Sequence, residues 1–181
     1  MLRLLIIALF ATTAVPLWAV QLRVQGVVTE LHSRRPLPGV LVRIYKNGEK
    51  VQVMNSGAFG RYSAVLDNNA TYIIRFSMPG HVTKCFAIET FGPAWEGDNA
   101  VKQLEVEMTM FERVPGLDLS FFDLPLGIAR FTPMTGVISW NMDYEAKVKP
   151  EVDRLMHEVT LRREQLATIE AQRRVDRQAV H

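Results

Sequence analysis

Apolar and polar residues alternate with a period of two over much of this chain, and this pattern constrains its fold more than any other feature. The alternation runs from about residue 21 to residue 110, in short stretches separated by turn residues. It is clearest where Leu104, Val106, Met108 and Met110 alternate with polar side chains. A period of two places one face of a strand in a core and the other in water. Short strands at this spacing predict a mainly β protein, a sandwich or a barrel.

Residues 26–45 predict two strands joined by a polar loop that two prolines and a glycine close. Asn47 and Gly48 follow the second strand, and this dipeptide suits a type I′ turn, in which both central residues need positive φ. We therefore expect a hairpin into a third strand. The alternation predicts that Val51 and Val53 face inward.

The first nineteen residues predict a secretory signal peptide. Arg3 gives a positive start, residues 4–11 are apolar, Pro16 breaks the run and Ala19 offers a small residue for cleavage. The alternative is a retained single-span anchor, which would keep the protein close to a membrane. The apolar run is interrupted, however, and only just reaches the ~20 residues that a bilayer core requires. We expect cleavage after Ala19 and a periplasmic or otherwise extracytoplasmic protein.

Cys85 is the only cysteine, so the chain holds no internal disulfide and depends on its hydrophobic core. The thiol is predicted to pack in a strand. The opposite face of that strand carries Val82, Lys84, Phe86 and Ile88. A composition of 48% hydrophobic and 22% charged residues is typical of a globular protein. A net charge of +2 argues against a dedicated nucleic-acid binder.

Residues 150–181 change to the period of a helix. Pro150 suits a first helical position, and acidic residues near the start and arginines near the end complement the helix dipole. A heptad seam, interrupted by Arg162, is shorter than the roughly three to four heptads that identify a coiled coil. We predict that this seam binds an envelope protein or a second copy of the chain, the alternative being that it packs on its own sandwich. The seam consists of Val152, Leu155, Val159, Leu166 and Ile169.

Several turn-and-strand motifs are similar to those of one known family. The motifs are Gly26-Val27-Val28, Pro36-Leu37-Pro38-Gly39-Val40-Leu41-Val42, Gly60-Arg61-Tyr62-Ser63, Thr71-Tyr72-Ile73-Ile74 and Pro79-Gly80-His81. Over about residues 22–111 the chain resembles the carboxypeptidase regulatory-like domain, of the kind found in exported Bacteroidota proteins. The resemblance implies a seven-stranded, transthyretin-like Greek-key β-sandwich without catalytic activity. Ala58-Phe59 stands where the family has an acidic residue, and His81 where it has an aromatic one.

The predicted organisation has four parts: a signal peptide (1–19), a β-sandwich (20–112), an apolar wrapping extension (113–149) and an amphipathic helix with a frayed tail (150–181). Residues 131–140 could add a strand or a short hairpin. The extension is rich in apolar residues, and it is expected to cover apolar surface that would otherwise invite aggregation.

We predict a non-catalytic exported interaction or scaffold module of the bacterial cell envelope, which binds a partner protein through its sandwich and its helix. The four histidines show no metal-ligand spacing, and no serine nucleophile motif is present. No catalytic residue, metal or cofactor is therefore predicted. The alternative is a carbohydrate-binding module in which Trp95 and Trp140 stack on sugar rings, although large aromatics are also common in cores.

Overall fold

The computed structural model describes residues 21–92, 102–132, 135 and 137–179. In this part of the chain, ten strands, a short 3₁₀ helix (Ser120–Asp123) and one long helix, α1 (Met142–Ala179), follow one another. The strands are β1 (Leu22–Glu30), β2 (Leu41–Lys46), β3 (Glu49–Asn55), β4 (Arg61–Leu66), β5 (Thr71–Ser77), β6 (Lys84–Glu89), β7 (Lys102–Glu105), β8 (Met108–Met110), β9 (Pro125–Thr132) and β10 (Val137–Trp140). The fold is mainly β, as predicted. The predicted signal peptide and Trp95 lie outside the described residues.

The strands form two mixed sheets. A four-stranded sheet has the order β4-β1-β7, with β8 pairing the second half of β1, and a six-stranded sheet has the order β10-β9-β6-β5-β2-β3. β7 and β8 run parallel to β1, and β9 runs parallel to β6, whereas the other pairs are antiparallel.

The expectation of seven strands is too low: eight strands lie between Leu22 and Met110, and the 113–149 segment adds two more instead of only wrapping the surface. β9 pairs with β6 so that Ala129 lies beside Ile88, and β10 folds back on β9 as an antiparallel hairpin. Ala129 and Phe131 are both fully buried. The segment therefore buries its apolar side chains by extending the larger sheet.

One large hydrophobic cluster contains residues from both sheets. Its fully buried side chains include Leu22 and Val24 of β1, and Ile74 and Phe76 of β5. The rings of Tyr62 (β4) and Phe76 (β5) meet edge to face, with 5.0 Å between their centroids. The inner faces of the two sheets thus contribute to a single core.

The predicted hairpin between β2 and β3 is confirmed, but the inward positions predicted for β3 are wrong. Asn47 and Gly48 have the positive φ values, 51° and 88°, that a type I′ turn needs. The pairing register shifts between Ile44 and Tyr45, so that Met54 lies opposite the buried Val42. Val51 and Val53 consequently remain 54% and 49% exposed at the edge of the sheet.

The strand predicted between residues 103 and 110 is divided in two where it passes Gly26. The Val106 amide donates to the Gln25 carbonyl, and the Val106 carbonyl accepts from the Tyr62 hydroxyl at 2.8 Å. A Cβ atom on Gly26 would lie 1.9 Å from the Val106 oxygen. Only glycine allows this approach, so Gly26 permits β1 to pair with β7 on one side of Val106 and with β8 on the other.

Replacing Gly26 by alanine should lower the free energy of unfolding by about 1–3 kcal/mol, near the upper end because the atom that the new methyl group meets is backbone. Urea denaturation measures the change. Gly57→Ala is the matched control, since a Cβ atom there meets nothing closer than 3.8 Å. Equal stabilities for the two variants would contradict the close approach at Val106.

Candidate interaction surfaces

Helix α1 begins at Met142, eight residues before the predicted start at Pro150. Asn141 caps it: the side-chain oxygen accepts from the Tyr144 amide at 3.0 Å, and the backbone carbonyl accepts from the Glu145 amide. This side-chain bond satisfies one of the free amides of the first turn. Pro150 therefore lies inside the helix.

The first half of α1 packs on a second hydrophobic cluster of the same chain. Leu155 and Val159 are buried there against Phe111, Phe122 and neighbouring apolar side chains, and Val152 and Leu166 pack at its margin. Four of the five residues predicted to bind a partner are thus already covered by their own chain. Leu155 and Val159 are buried and Val152 and Leu166 partly buried, which is the alternative arrangement for this seam, because the helical period reveals an apolar stripe without revealing what covers it. Ile169, the fifth, is exposed.

Two arginines hold α1 at the point where its packing ends. The Arg162 Nε donates to the Pro115 carbonyl at 3.3 Å, and the Arg163 Nη2 donates to the Glu112 carbonyl at 3.3 Å. The Arg163 guanidinium also contacts the His32 ring. Beyond these contacts and Leu166, the helix leaves the surface of the protein.

Residues 167–179, which we call the distal helix, are helical, and residues 167–178 are exposed on every side. Leu161 and Ile169 are each 45% exposed and Val175 is 59% exposed. Helices shorter than about 12–15 residues are marginal in water on their own, and most helical stability in proteins comes from packing. The distal helix thus presents exposed apolar side chains, and nothing else in residues 21–92, 102–132 or 137–166 packs on them.

A groove of about 720 Å³ runs along the exposed side of α1, between the helix and the 116–124 segment. Leu117, Phe121 and the half-exposed Leu124 give it apolar surface. Its rim carries Asp118 and two helix carboxylates, Glu151 and Glu158. The Arg162 guanidinium lies beside Gly116, 3.5 Å from where a Cβ atom of that residue would be. The lining itself holds three carboxylates and one guanidinium, so it is acidic on balance.

Arg154 is that guanidinium, and it is held in place along the helix. It forms ion pairs with Glu151, at 2.5 Å, and with Glu158. The bond to Arg154 lowers the pKa of Glu151, and the Ser120 amide lowers the pKa of Asp118. Glu151 and Asp118 therefore stay ionised at neutral pH, and the groove favours basic side chains. No local pattern in the sequence indicates this groove, because its two walls are brought together only by the tertiary fold.

Lys84 is buried, 6% exposed, where the two hydrophobic clusters meet. Its Nζ donates to the Thr109 carbonyl at 2.8 Å and lies 4.9 Å and 5.4 Å from the ring centroids of Phe111 and Phe122. Burial lowers the pKa of Lys84 from 10.5 to about 8. The alternation of its strand places Lys84 on the apolar face. A lysine at such a position was the one sign in the sequence that its side chain is buried.

Cys85 is a fully buried free thiol, as predicted. Its Sγ donates to the Asp123 carbonyl at 3.3 Å, and burial raises its pKa to about 11. Such a thiol is protonated at neutral pH and takes part in packing. Among the residues that the structure describes, no group of three or more His, Cys, Asp and Glu side chains is arranged to hold a metal ion.

Trp140, the second candidate for sugar stacking, is 39% exposed at the end of β10. Its ring meets Phe86 edge to face with 6.3 Å between centroids, and a Cβ atom on Gly127 would lie 3.0 Å from it. The indole is thus seated against the margin of the core. A polar depression of about 270 Å³ adjoins Trp140, with Glu89, Arg130 and Asp143 around it.

No family model matches the chain, and no curated protein matches it. Among solved structures, the Bacillus anthracis TIE protein is 15% identical over 51% of this chain and 18% of its own, with a TM-score of 0.42. The 3-chlorocatechol 1,2-dioxygenase from Rhodococcus opacus 1CP is 10% identical over 52% of this chain and 60% of its own, with a TM-score of 0.40. The dioxygenase domain of a dioxygenase–carbohydrate-binding protein fusion from Streptomyces sp. SirexAA-E is 13% identical over 56% and 85%, with a TM-score of 0.40. Likeness at this level carries no inference about function.

Replacing Lys84 by methionine should change how stability depends on pH. The depressed pKa means that burying the ammonium costs stability in full below about pH 8, and that this cost is relieved as pH rises from 8 towards 10.5. Between pH 7 and pH 9, the free energy of unfolding of the wild-type protein should therefore rise by about 1 kcal/mol relative to that of Lys84→Met. Urea denaturation across this range measures the gain. The stability of Lys50→Met, at an exposed edge position, should depend on pH in the same way as that of wild type. A plot of stability against pH for Lys84→Met that runs parallel to the wild-type plot would contradict the burial of the charge.

Proposed function

We propose that this chain is a non-catalytic interaction module of the bacterial cell envelope, and that the distal helix is the element through which it binds a partner protein. The observation that carries the proposal is the contrast along α1. Its first half is packed into a core, whereas residues 167–178 carry exposed Ile169 and Val175, which no other element of the described part of the chain covers.

We further propose that residues 20–112 form a β-sandwich of the carboxypeptidase regulatory-like type. The hydrophobic cluster shared by both sheets supports this assignment. So do the motif glycines: Gly39, Gly60 and Gly80 all have positive φ, which suits the turns that the family pattern requires. In this proposal, β9 and β10 are additions that enlarge one sheet.

An extracytoplasmic location is proposed on the apolar leader of residues 1–19, with its positive start and small residue at the cleavage position. In the described part of the chain, no helix has both the length and the apolar character needed to cross a membrane.

A role without catalysis is supported by how a buried amine and a buried thiol, those of Lys84 and Cys85, are used. Lys84 donates to a backbone carbonyl between two phenylalanine rings, and the Cys85 thiol is protonated and donates to another carbonyl. Both side chains serve packing, and neither lines the groove beside α1. The packing of Trp140 against Phe86 likewise accounts for that residue without a sugar ligand.

Removing residues 168–181 should leave the free energy of unfolding within about 0.5 kcal/mol of the full chain, because residues 168–178 are exposed on every side. Leu155→Ala, by contrast, should cost about 2–5 kcal/mol, since Leu155 is buried in the second cluster. Urea denaturation compares the three proteins.

The same truncated protein tests binding. Chemical cross-linking in envelope extract should trap a discrete complex, with another envelope protein or with a second copy, for the full chain and for Trp140→Ala. The complex should be absent for the truncated chain. A complex that survives truncation would place the binding surface elsewhere and overturn the role of the distal helix.

A further inference from the structure

We propose that the partner of the distal helix is a second copy of this chain. In this arrangement two α1 helices pack antiparallel about a two-fold axis at Gln165, and the distal helix of each copy lies in the acidic groove of the other. The inference rests on the proposed interaction role and names the partner.

The exposed side of α1 provides a strip that suits a helix. Leu161, Gln165, Ile169 and Gln172 recur every three or four residues, so they share one side of the helix, and none is charged. Leu161, Gln165 and Ile169, together with Glu164 and Thr168, surround a shallow, mainly apolar depression. The strip itself holds no ionised group, and the Glu164 carboxylate borders it, so a second helix can pack along the strip with that carboxylate at the margin of the contact.

The strip leads directly into the groove. Glu151, Arg154 and Glu158, which line the groove, continue the same three- and four-residue spacing towards the start of the helix. A helix that follows the strip in the antiparallel direction consequently enters the space between α1 and the 116–124 segment. Its far end would be the distal helix of the second copy.

The strip is complementary to itself when it is read in opposite directions. With Gln165 facing the partner's Gln165, Leu161 lies opposite the partner's Ile169, and Glu158 lies opposite the partner's Gln172. Arg154 lies opposite the partner's Asp176. The Arg154 guanidinium already pairs with two carboxylates of its own helix, and Asp176 would supply a third. At each of these paired positions, an apolar side chain thus faces an apolar one, an amide faces a polar group, or a cation faces an anion.

The charges around the groove favour the same occupant. Helical spacing places Arg173 and Arg177 beside Ile169 and Asp176, on the side of the distal helix that the two-fold arrangement turns towards the 116–124 segment. There they meet the acidic rim formed by Asp118 and Glu151. Their aliphatic stems can lie on the apolar surface of the groove while the guanidinium groups reach the carboxylates.

Each copy carries both the groove and the helix that fits it, which is the property that a two-fold symmetric interface requires. The contact is made twice, over a helix run that extends from Arg154 to Asp176. The first half of α1 keeps its own core contacts, so pairing needs no rearrangement of the fold.

Cysteine cross-linking of the full chain tests the axis directly. Gln165→Cys should form a covalent dimer under mild oxidation, because a residue on the two-fold axis faces its own copy and the native thiol, Cys85, is buried. Ala167→Cys, which is exposed on the opposite side of the helix, should stay monomeric under the same conditions. Equal cross-linking at both positions would indicate random collision and overturn the proposal.

Light scattering during size-exclusion chromatography tests the contacts. Wild-type protein should have the mass of a dimer. Ile169→Glu should abolish the dimer and Ala167→Glu should keep it. Arg173→Glu should weaken the dimer, whereas Arg174→Glu, on the far side of the helix, should not. Circular dichroism confirms that each variant retains its helix.

A wild-type protein that stays monomeric at its highest soluble concentration would overturn the two-fold pairing. If such a monomer still forms a complex with another envelope protein that depends on residues 168–181, the interaction role stands and only the identity of the partner is wrong. Loss of both complexes would overturn the two proposals together.

Discussion

The close approach of Val106 to Gly26 is the contact on which the remaining architecture depends. Because Gly26 has no side chain, the chain after β7 can approach β1 closely at Val106 and continue as β8 along the same neighbour. β8 then leads into Phe111, whose ring meets Phe122 edge to face at 5.3 Å. These two rings form the centre of the second cluster, on which α1 packs. The close approach at Gly26 thus leads the chain into the cluster on which the helix packs.

Lys84 joins this second cluster to the main core. Its stem belongs to β6, and its ammonium reaches the Thr109 carbonyl in β8 and the rings of Phe111 and Phe122. A buried amine without a carboxylate partner costs stability, as the lowered pKa reflects, yet it ties one sheet to an element of the other. The packed part of α1 ends near Arg162 and Arg163, whose side chains bond to backbone carbonyls, and the exposed distal helix follows.

Local patterns in the sequence predicted features that local chemistry controls. The Asn47-Gly48 turn needs only its own backbone angles, and the burial of Cys85 agrees with the general tendency of a free cysteine to lie in the interior. Features that depend on contacts between distant segments could not be predicted. The exposure of Val51 depends on a register shift in the neighbouring strand, and the helix starts before Pro150 because Asn141 supplies a cap. The groove beside α1 needs two segments about thirty residues apart to meet.

The helix itself explains why one periodic pattern supported two interpretations. Leu155 and Val159 lie on one side of α1, and Leu161 and Gln165 lie roughly a third of the circumference away. The first stripe stabilises the fold and is already covered, while the second remains open along the whole outer side of the helix. Sequence spacing identified the first stripe but could not say whether the protein's own core or a partner covers it. Because the second cluster covers the first stripe, the second is the one left exposed on the described part of the helix, and the pairing proposed there would not compete with folding.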